Sequence, residues 1–201
     1  MHNNNLTVKI ERAISELRRG GKLIVSDINT GTCVLLVASE LIENETIKEL
    51  SEQSLSRPSI ILSSNRSNAI GINVKNQPSS ILINKNWSIN DILSLCMPLY
   101  GYEKPMINGV ILESNKSIIS SCLLILRQAR LLPAGLMSII SNVKIENINQ
   151  WAFKNDLLHV ETYDIQSYET SNTDNLTMSV KAKVPISYTD NCEIIIFRPK
   201  D

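Results

Sequence analysis

The chain has 201 residues, of which 43% are hydrophobic and 20% charged, and Lys plus Arg equal Asp plus Glu in number. This length allows a substantial hydrophobic core, and the zero net charge excludes a general electrostatic attraction to nucleic acid or to anionic membranes. The first residues, MHNNNLT, lack the apolar core of a signal peptide, and no apolar run is long enough to span a bilayer. We expect a cytoplasmic protein with no nucleic-acid or membrane partner.

The first predicted elements are an amphipathic helix and two buried strands. The helix begins at Thr7 as its cap and ends at Gly20, since glycine enters the left-handed conformation cheaply. Its apolar stripe has the spacing i, i+3, i+4 and i+7: Ile10, Ala13, Ile14 and Leu17. The strands are Lys22–Val25 and Cys33–Ala38, and the polar loop Ser26–Thr32 lies between them. This loop is the first candidate functional segment.

Further signals for helices and strands follow in alternation. Helices are predicted at 44–55, 88–96, 116–130 and 147–155, with a turn or short helix at 65–70 and a helical turn at 165–168. Strands are predicted at 59–62, 72–74, 80–83, 136–140 and 157–161, and residues 98–115 form an irregular segment. Residues 180–187 and 192–197 predict a hairpin around Thr189-Asp190-Asn191. The pattern predicts an α/β or α+β fold with a short C-terminal β-hairpin.

Five motifs identify a family resemblance. Leu17-Arg18-Arg19-Gly20-Gly21 precedes the first strand, and Leu35-Leu36-Val37-Ala38-Ser39-Glu40 ends the second. After the longest helix comes ARLLPAGLMSII at 129–140, followed by NQWAF at 149–153 and YDIQSY at 163–168. In this order they resemble the motifs of 3,4-dihydroxy-2-butanone 4-phosphate synthase, a riboflavin-pathway lyase that acts on ribulose 5-phosphate. The resemblance implies a single synthase-like domain, a sandwich of helices on a mixed sheet. It also implies a homodimer, with riboflavin-pathway enzymes as further partners.

A second resemblance lies at the C-terminus. The segment 180–198, VKAKVPISYTDNCEIIIFR, is similar to the start of a GTP cyclohydrolase II domain as found in bifunctional riboflavin proteins. We therefore expect a synthase-like domain at 1–169, a linker at 170–177, and a cyclohydrolase-like hairpin at 178–201.

The catalytic groups of the synthase family have no counterparts in this sequence. The family's lyase chemistry uses an acidic loop and two histidine segments to hold magnesium and move protons. The resemblance places Tyr102, Ile118, Ser120 and Ile139 at positions that are catalytic or metal-binding in the family. Two histidines occur in the whole sequence, His2 and His159, and His159 falls at a position that is apolar in the family. We therefore expect no retained catalytic residue, no metal and no cofactor.

The sequence leaves open a remnant of the family's site. Asp27 is the loop's one carboxylate, and such a group is usually solvated or caps a turn. The remnant would consist of the following side chains: Asp27, Thr30, Thr32, Lys104 and Lys116. The isoleucines at 118, 119 and 139 instead suggest a site converted to core.

Three functions stay open at this stage. The first is a catalytically degenerate synthase-like protein with a structural or regulatory role in riboflavin biosynthesis. The second is an active magnesium-dependent lyase that forms 3,4-dihydroxy-2-butanone 4-phosphate and formate with carboxylates from Asp27, Glu40, Glu103 and Glu113. The third is a sugar-phosphate binding module. The missing histidines favour the first.

Overall fold

A computed structural model of the protein describes residues 2–98, 105, 107, 110–111, 116–174, 176–189 and 191–199. The helices are α1 (His2–Arg18), α2 (Asn44–Ser54), α3 (Ser64–Ala69), α4 (Ile89–Cys96), α5 (Lys116–Gln128), α6 (Ile148–Lys154) and α7 (Thr162–Asp174). The strands are β1 (Leu23–Asp27), β2 (Thr32–Ala38), β3 (Ser59–Leu62), β4 (Ser79–Leu82), β5 (Val110–Ile111), β6 (Ala134–Ile139), β7 (Leu158–Glu161), β8 (Leu176–Lys183) and β9 (Glu193–Pro199). Short 3-10 helices occupy Ser39–Leu41 and Ile145–Asn147.

The strands β1 to β7 form one mixed sheet in the order β5-β4-β3-β6-β2-β1-β7. The pair β1–β7 is parallel, and the other neighbours are antiparallel. This arrangement confirms the predicted α/β fold with a mixed sheet. The pairing Ala38↔Gly135 lies at one end of the sheet, named here the Gly135 end. The opposite end, where Asp27 pairs with Thr32, is named the Asp27 end.

Helices cover both faces of this sheet. On one face α1 and α5 pack against β1 and β2. On the other face, residues of α2, α4 and α6 share a core with alternate residues of the strands, such as Ile24, Leu35 and Leu136. Because successive strand residues point to opposite faces, consecutive residues of β1 serve two different layers.

Two family-like motifs have clear packing roles. Gly20 adopts φ +82°, the left-handed conformation that ends α1, and Arg18 Nε donates a hydrogen bond to Ala129 O at 2.8 Å. At Gly135 a Cβ atom would lie 2.7 Å from Val37 O and 3.0 Å from a methyl group of Leu126. Glycine at 135 therefore lets α5 and β2 approach closely.

Most predicted elements are confirmed within one or two residues, and the N-terminus and segment 72–74 differ. Helix α1 begins at His2, so Thr7 lies inside the helix and is not its cap. Residues 72–74 form no strand. Their backbone turns back on α3, because Ile72 N donates to Ser67 O at 2.9 Å and Val74 N donates to Asn68 Oδ1 at 3.2 Å.

The segment after β7 also differs from the prediction. Helix α7 has 13 residues, whereas a short turn at 165–168 was expected. It includes 170–174, which we expected in a linker, and β8 already begins at Leu176. Hydroxyl groups in this polar helix bond to its own backbone: Thr170 Oγ1 donates to Gln166 O, and Ser171 Oγ donates to Ser167 O. Within the predicted irregular segment 98–115, Val110–Ile111 forms the short strand β5.

The chain divides into two compact units, Met1–Ile165 and Gln166–Asp201. In the second unit β8 and β9 form a hairpin as predicted, with a bulge between Met178 and Val180. Strand β8 lies four residues earlier in the chain than the expected strand 180–187. The hairpin's apolar side chains are exposed to solvent: Met178, Val180, Ile194, Ile195, Ile196 and Phe197. The assignment of separate functional domains to these segments remains a prediction.

Candidate functional site

The loop at the Asp27 end closes on its own carboxylate. Asp27 is the last residue of β1 and is 1% exposed. Its Oδ1 accepts a hydrogen bond from Asn29 N at 3.0 Å, and Thr30 Oγ1 donates to Thr32 Oγ1 at 3.0 Å. Of the two expected states of this carboxylate, solvated or capping, the structure shows the capping one. One carboxylate oxygen is thus already engaged by its own turn.

Helix α5 brings Ile118, which the resemblance places at a histidine position of the family, toward the same end of the sheet. The end of this helix lies beside the start of β1, because Ala129 O accepts the bond from Arg18 at the end of α1. The first turns of α5 therefore lie toward the Asp27 end. In these turns Ile118 and Ile119 are 1% exposed, whereas Ser120 is exposed. At position 118 the helix presents a buried aliphatic side chain to the core.

Ile139 is in a different environment from the two helical isoleucines. It is the last residue of β6, pairs with Val34 of β2, and is 40% exposed. The expectation that all three isoleucines form core is therefore wrong for this residue. A side chain at the last position of a strand loses the cover that the helix gives to the residues before it.

For several other expected site residues, the structure describes no side chain. Tyr102, Lys104, Glu103 and Glu113 lie outside the described residues. Lys116 is the first residue of α5, and its backbone alone is described.

Glu40 does not join Asp27. It follows β2 at the Gly135 end, where its Oε2 accepts a hydrogen bond from Leu132 N at 3.0 Å. The seven residues of β2 separate it from the Asp27 loop by about 20 Å. The two carboxylates therefore cannot bind one metal ion in this arrangement.

The donor set also fails the test for magnesium. Mg²⁺ prefers several oxygen ligands in octahedral geometry, including carboxylates. Within the described ranges, no group of three or more His, Cys, Asp or Glu side chains could hold a metal ion. Asp27 supplies a single carboxylate, and that group caps its own turn. The described residues therefore do not fit the metal of the family.

A hydrogen-bonded relay on the other face of β1 could not be foreseen from the sequence. His159 Nε2 lies 2.7 Å from Ser26 Oγ, and His159 Nδ1 lies 2.7 Å from Asn149 Oδ1. Because the amide oxygen accepts, Nδ1 carries the proton and Nε2 accepts from the serine hydroxyl. Burial, reinforced by the Lys9 cation, lowers the pKa of His159 to about 4 against the opposing effect of Asp164. The imidazole is therefore neutral at physiological pH.

Ser26, His159 and Asn149 have the order of a nucleophile, a base and an orienting group, but a substrate has no access to them. Ser26 is 1% exposed, so a substrate carbonyl cannot reach its hydroxyl. Ser26 and Asp27 are consecutive residues of β1 and lie on opposite faces of the sheet. His159 is thus a structural tie between β1, β7 and α6 and does not face Asp27. We expected a packed or surface histidine, and the structure places it half-buried in a polar network.

Three cavities among the described residues lie elsewhere on the first unit. One, of about 870 Å³, lies between α1 and the turn before β7 and has Arg12, Glu16 and Phe153 in its lining. A second of about 520 Å³ lies between the end of α2 and the segment after β4, and a third of about 270 Å³ lies beside α3. None of these three cavities is lined by Asp27 or Ile118.

Comparison with solved structures identifies the fold. A two-domain 3,4-dihydroxy-2-butanone 4-phosphate synthase from A. baumannii superposes with a TM-score of 0.66 at 15% identity, covering 95% of this chain and 66% of that one. The synthase of Candida albicans gives a TM-score of 0.62 at 19% identity, covering 80% of this chain and 96% of that one. A synthase solved with two magnesium ions gives 0.60 at 12% identity, covering 82% of this chain and 97% of that one. The protein therefore has the fold of 3,4-dihydroxy-2-butanone 4-phosphate synthase, as the first resemblance predicted.

Sequence comparison gives a shorter match. GTP cyclohydrolase-2 of Azospirillum brasilense is 36% identical over 75 residues, which are 37% of this chain. The chain spans about a fifth of that protein, 19% of its length. No family model matches the sequence. The match to a GTP cyclohydrolase-2 supports the resemblance to bifunctional riboflavin-type proteins.

No helix in the described part of the chain combines the length and the apolar character needed to cross a membrane.

Proposed function

We propose that this chain is a catalytically inactive protein with the synthase fold that serves riboflavin biosynthesis in a structural or regulatory role. The observation that carries the proposal is Ile118: the position that holds a histidine in the family is a fully buried aliphatic residue of α5. A general base or a metal ligand needs a polar atom within reach of the substrate, and this side chain has none. The neighbouring residue Ile119 is equally buried, so the first turns of the helix join the core.

The rest of the site supports the same conclusion. Asp27 is buried with one oxygen bonded to its own loop, and His159 of β7 lies on the opposite face of the sheet. Glu40 binds the backbone at the far end. An enediolate intermediate would find neither two bases nor a divalent cation held by these groups. The names of the similar proteins, synthase and cyclohydrolase, are what link the proposal to riboflavin biosynthesis.

The decisive assay is formate release from ribulose 5-phosphate in the presence of magnesium, beside an active synthase. The proposal expects formate at the level of the buffer control. Metal-dependent formate release that Asp27→Asn abolishes would establish the alternative, an active lyase. Formate release that Asp27→Asn leaves unchanged would point to a contaminating enzyme. The assay would then be repeated after further purification.

A stability measurement tests the structural half of the proposal. Ile118→His places a polar ring in the core and is expected to cost about 2–4 kcal/mol of unfolding free energy. Ser120→Glu, two residues along the same helix, changes an exposed side chain and is expected to stay within about 0.5 kcal/mol of the wild type. Equal stability of the two variants in urea unfolding would show that position 118 tolerates a polar group and could belong to a site.

The family resemblance also implies a homodimer, and we propose this state for the present chain. Sedimentation equilibrium would show a mass of twice the 22.5 kDa of the monomer. A monomer at micromolar concentration would remove that part of the proposal without affecting the inactive site.

A further inference from the structure

One cavity on the α2 face of the sheet has the properties of a small-molecule site. Its volume is about 520 Å³, within the range of about 300–1,000 Å³ typical of ligand pockets. It lies at the Asp27 end but on the opposite layer from Ile118, between the last turns of α2 and the residues after β4. It is therefore separate from the position that corresponds to the family's catalytic centre.

Most of the pocket's surface is apolar. Pro58 and Ile83 are buried and form its floor, joined by the hydrogen bond from Ile83 N to Pro58 O at 3.1 Å. Ile47 and Trp87 are half-buried and pack against the core, while the neighbouring Leu55 is 65% exposed. The indole provides a flat wall against which an aromatic or other planar group can stack. An apolar body of roughly ten to twenty heavy atoms fits this volume.

The charges at the pocket are all of one sign. Arg57 and Lys85 belong to its lining, and none of the described residues that line it is acidic. Arg57 Nε donates to Ile83 O at 2.6 Å, which holds the guanidinium at the mouth of the pocket and leaves the terminal nitrogens as its remaining donors. A guanidinium fixed in this way loses less conformational entropy when it binds an anion.

We propose that this pocket, named here the Trp87 pocket, binds a small amphipathic anion: a planar apolar body against Trp87 with one carboxylate, sulfonate or phosphate between Arg57 and Lys85. The apolar walls supply affinity by removing nonpolar surface from water, and the two cations select the charge. The pocket is too apolar for a sugar phosphate, whose hydroxyl groups would be left without partners against Ile47 and Ile83. This site does not depend on the proposed loss of lyase activity.

The probe is 8-anilinonaphthalene-1-sulfonate, an anion with a planar naphthalene ring whose fluorescence rises in apolar sites, and the reference is uncharged N-phenyl-1-naphthylamine. Arg57→Gln and Lys85→Gln are each expected to weaken sulfonate binding by about two- to fivefold, with little effect on the uncharged reference. Lys75→Gln, an exposed lysine outside the pocket, is the matched control and leaves both affinities unchanged. Raising the salt concentration should weaken the sulfonate alone.

Several results would overturn the proposal. One is a sulfonate affinity that the Arg57, Lys85 and Lys75 variants change equally, since that would show a diffuse or distant site. Another is the absence of saturable binding by folded protein, checked by circular dichroism for each variant. A third is a wild-type dimer that excludes both probes and dissociates in Arg57→Gln, which would identify a second copy of the chain as the occupant of the pocket.

Discussion

Removal of the His159 imidazole should flatten the acid dependence of stability. Its pKa is about 4 in the folded protein against an ordinary value of 6.5. A group whose folded pKa is lowered takes up its proton first in the unfolded state, so the unfolding free energy falls as the pH drops from about 6.5 to about 4. Below that range both states are protonated, and this group causes no further change.

The size of the effect follows from the pKa difference. Each unit corresponds to about 1.4 kcal/mol, so the complete shift would be worth about 3.4 kcal/mol. The ring is half-buried and its charge is partly screened by solvent, which reduces the expected loss to about 1–2 kcal/mol. Lys9 lowers the pKa of the imidazole and Asp164 opposes it, and these two residues also bind each other at 2.6 Å.

Urea unfolding between about pH 7.5 and about pH 4.5 measures this loss. The wild type should lose about 1–2 kcal/mol more over this range than His159→Gln, because the carboxylates that titrate there are common to both proteins. His2→Gln removes the chain's other histidine and should keep the wild-type slope. Equal slopes for the wild type and His159→Gln, or a steeper slope for the variant, would refute the reasoning. An NMR titration of the His159 ring should place its pKa well below 6.5 independently.

Three further expectations concern packing, polar satisfaction and thiol reactivity. Gly135→Ala should lower the unfolding free energy by about 1–3 kcal/mol in urea, because the added methyl would meet the backbone of Val37 at 2.7 Å. Gly21→Ala should cost less, because its methyl meets a flexible glutamate side chain. Equal costs would contradict the steric argument. Ser138→Ala should cost about 1 kcal/mol, because its hydroxyl lies 2.7 Å from the buried Ser54 hydroxyl and 3.0 Å from the half-buried Ser56 hydroxyl. An unchanged urea midpoint would show that this cluster contributes nothing. A maleimide at about pH 8 should label Cys192 first, because this thiol is partly exposed. The Cys122 thiol is fully buried, and burial raises its pKa. Rapid labelling of the native Cys192→Ser variant would contradict this order.

The fold could be predicted from sequence because its signals are local. The stripe of α1, the glycine that ends it and the Ser88 cap of α4 each depend on neighbours within a few residues, and all three are present. Segment 72–74 misled because its apolar residues resemble a strand, whereas backbone bonds to α3 decide its path. Helix α7 was underestimated because its serines and threonines have weak helix propensity. In the structure, two of their hydroxyls find acceptors within the helix itself, at the preceding turn.

The candidate site was less predictable because it depends on faces and ends of the sheet. The sequence shows that His159 exists, but only the register Ile24↔His159 beside β1 places it next to Ser26. Similarly, the separation of Glu40 from Asp27 follows from the direction of β2, which no count of carboxylates reveals. The Trp87 pocket joins residues that are 40 positions apart in sequence, from Ile47 to Trp87, and no motif marks it.

The close approach at Gly135 bears on how sequences of this fold should be recognised. The Leu-Pro-Ala-Gly motif survives here because a methyl group at its glycine would strike the main chain of β2, a demand that exists whether or not any reaction takes place. The Leu-Arg-x-Gly-Gly motif likewise has a structural role, through the left-handed conformation of Gly20 and the hydrogen bond from Arg18. A pattern built from such positions detects shared architecture and carries no information about turnover. Inheritance of an enzymatic name should therefore be decided at positions such as 118, where selection for chemistry and selection for packing favour different amino acids.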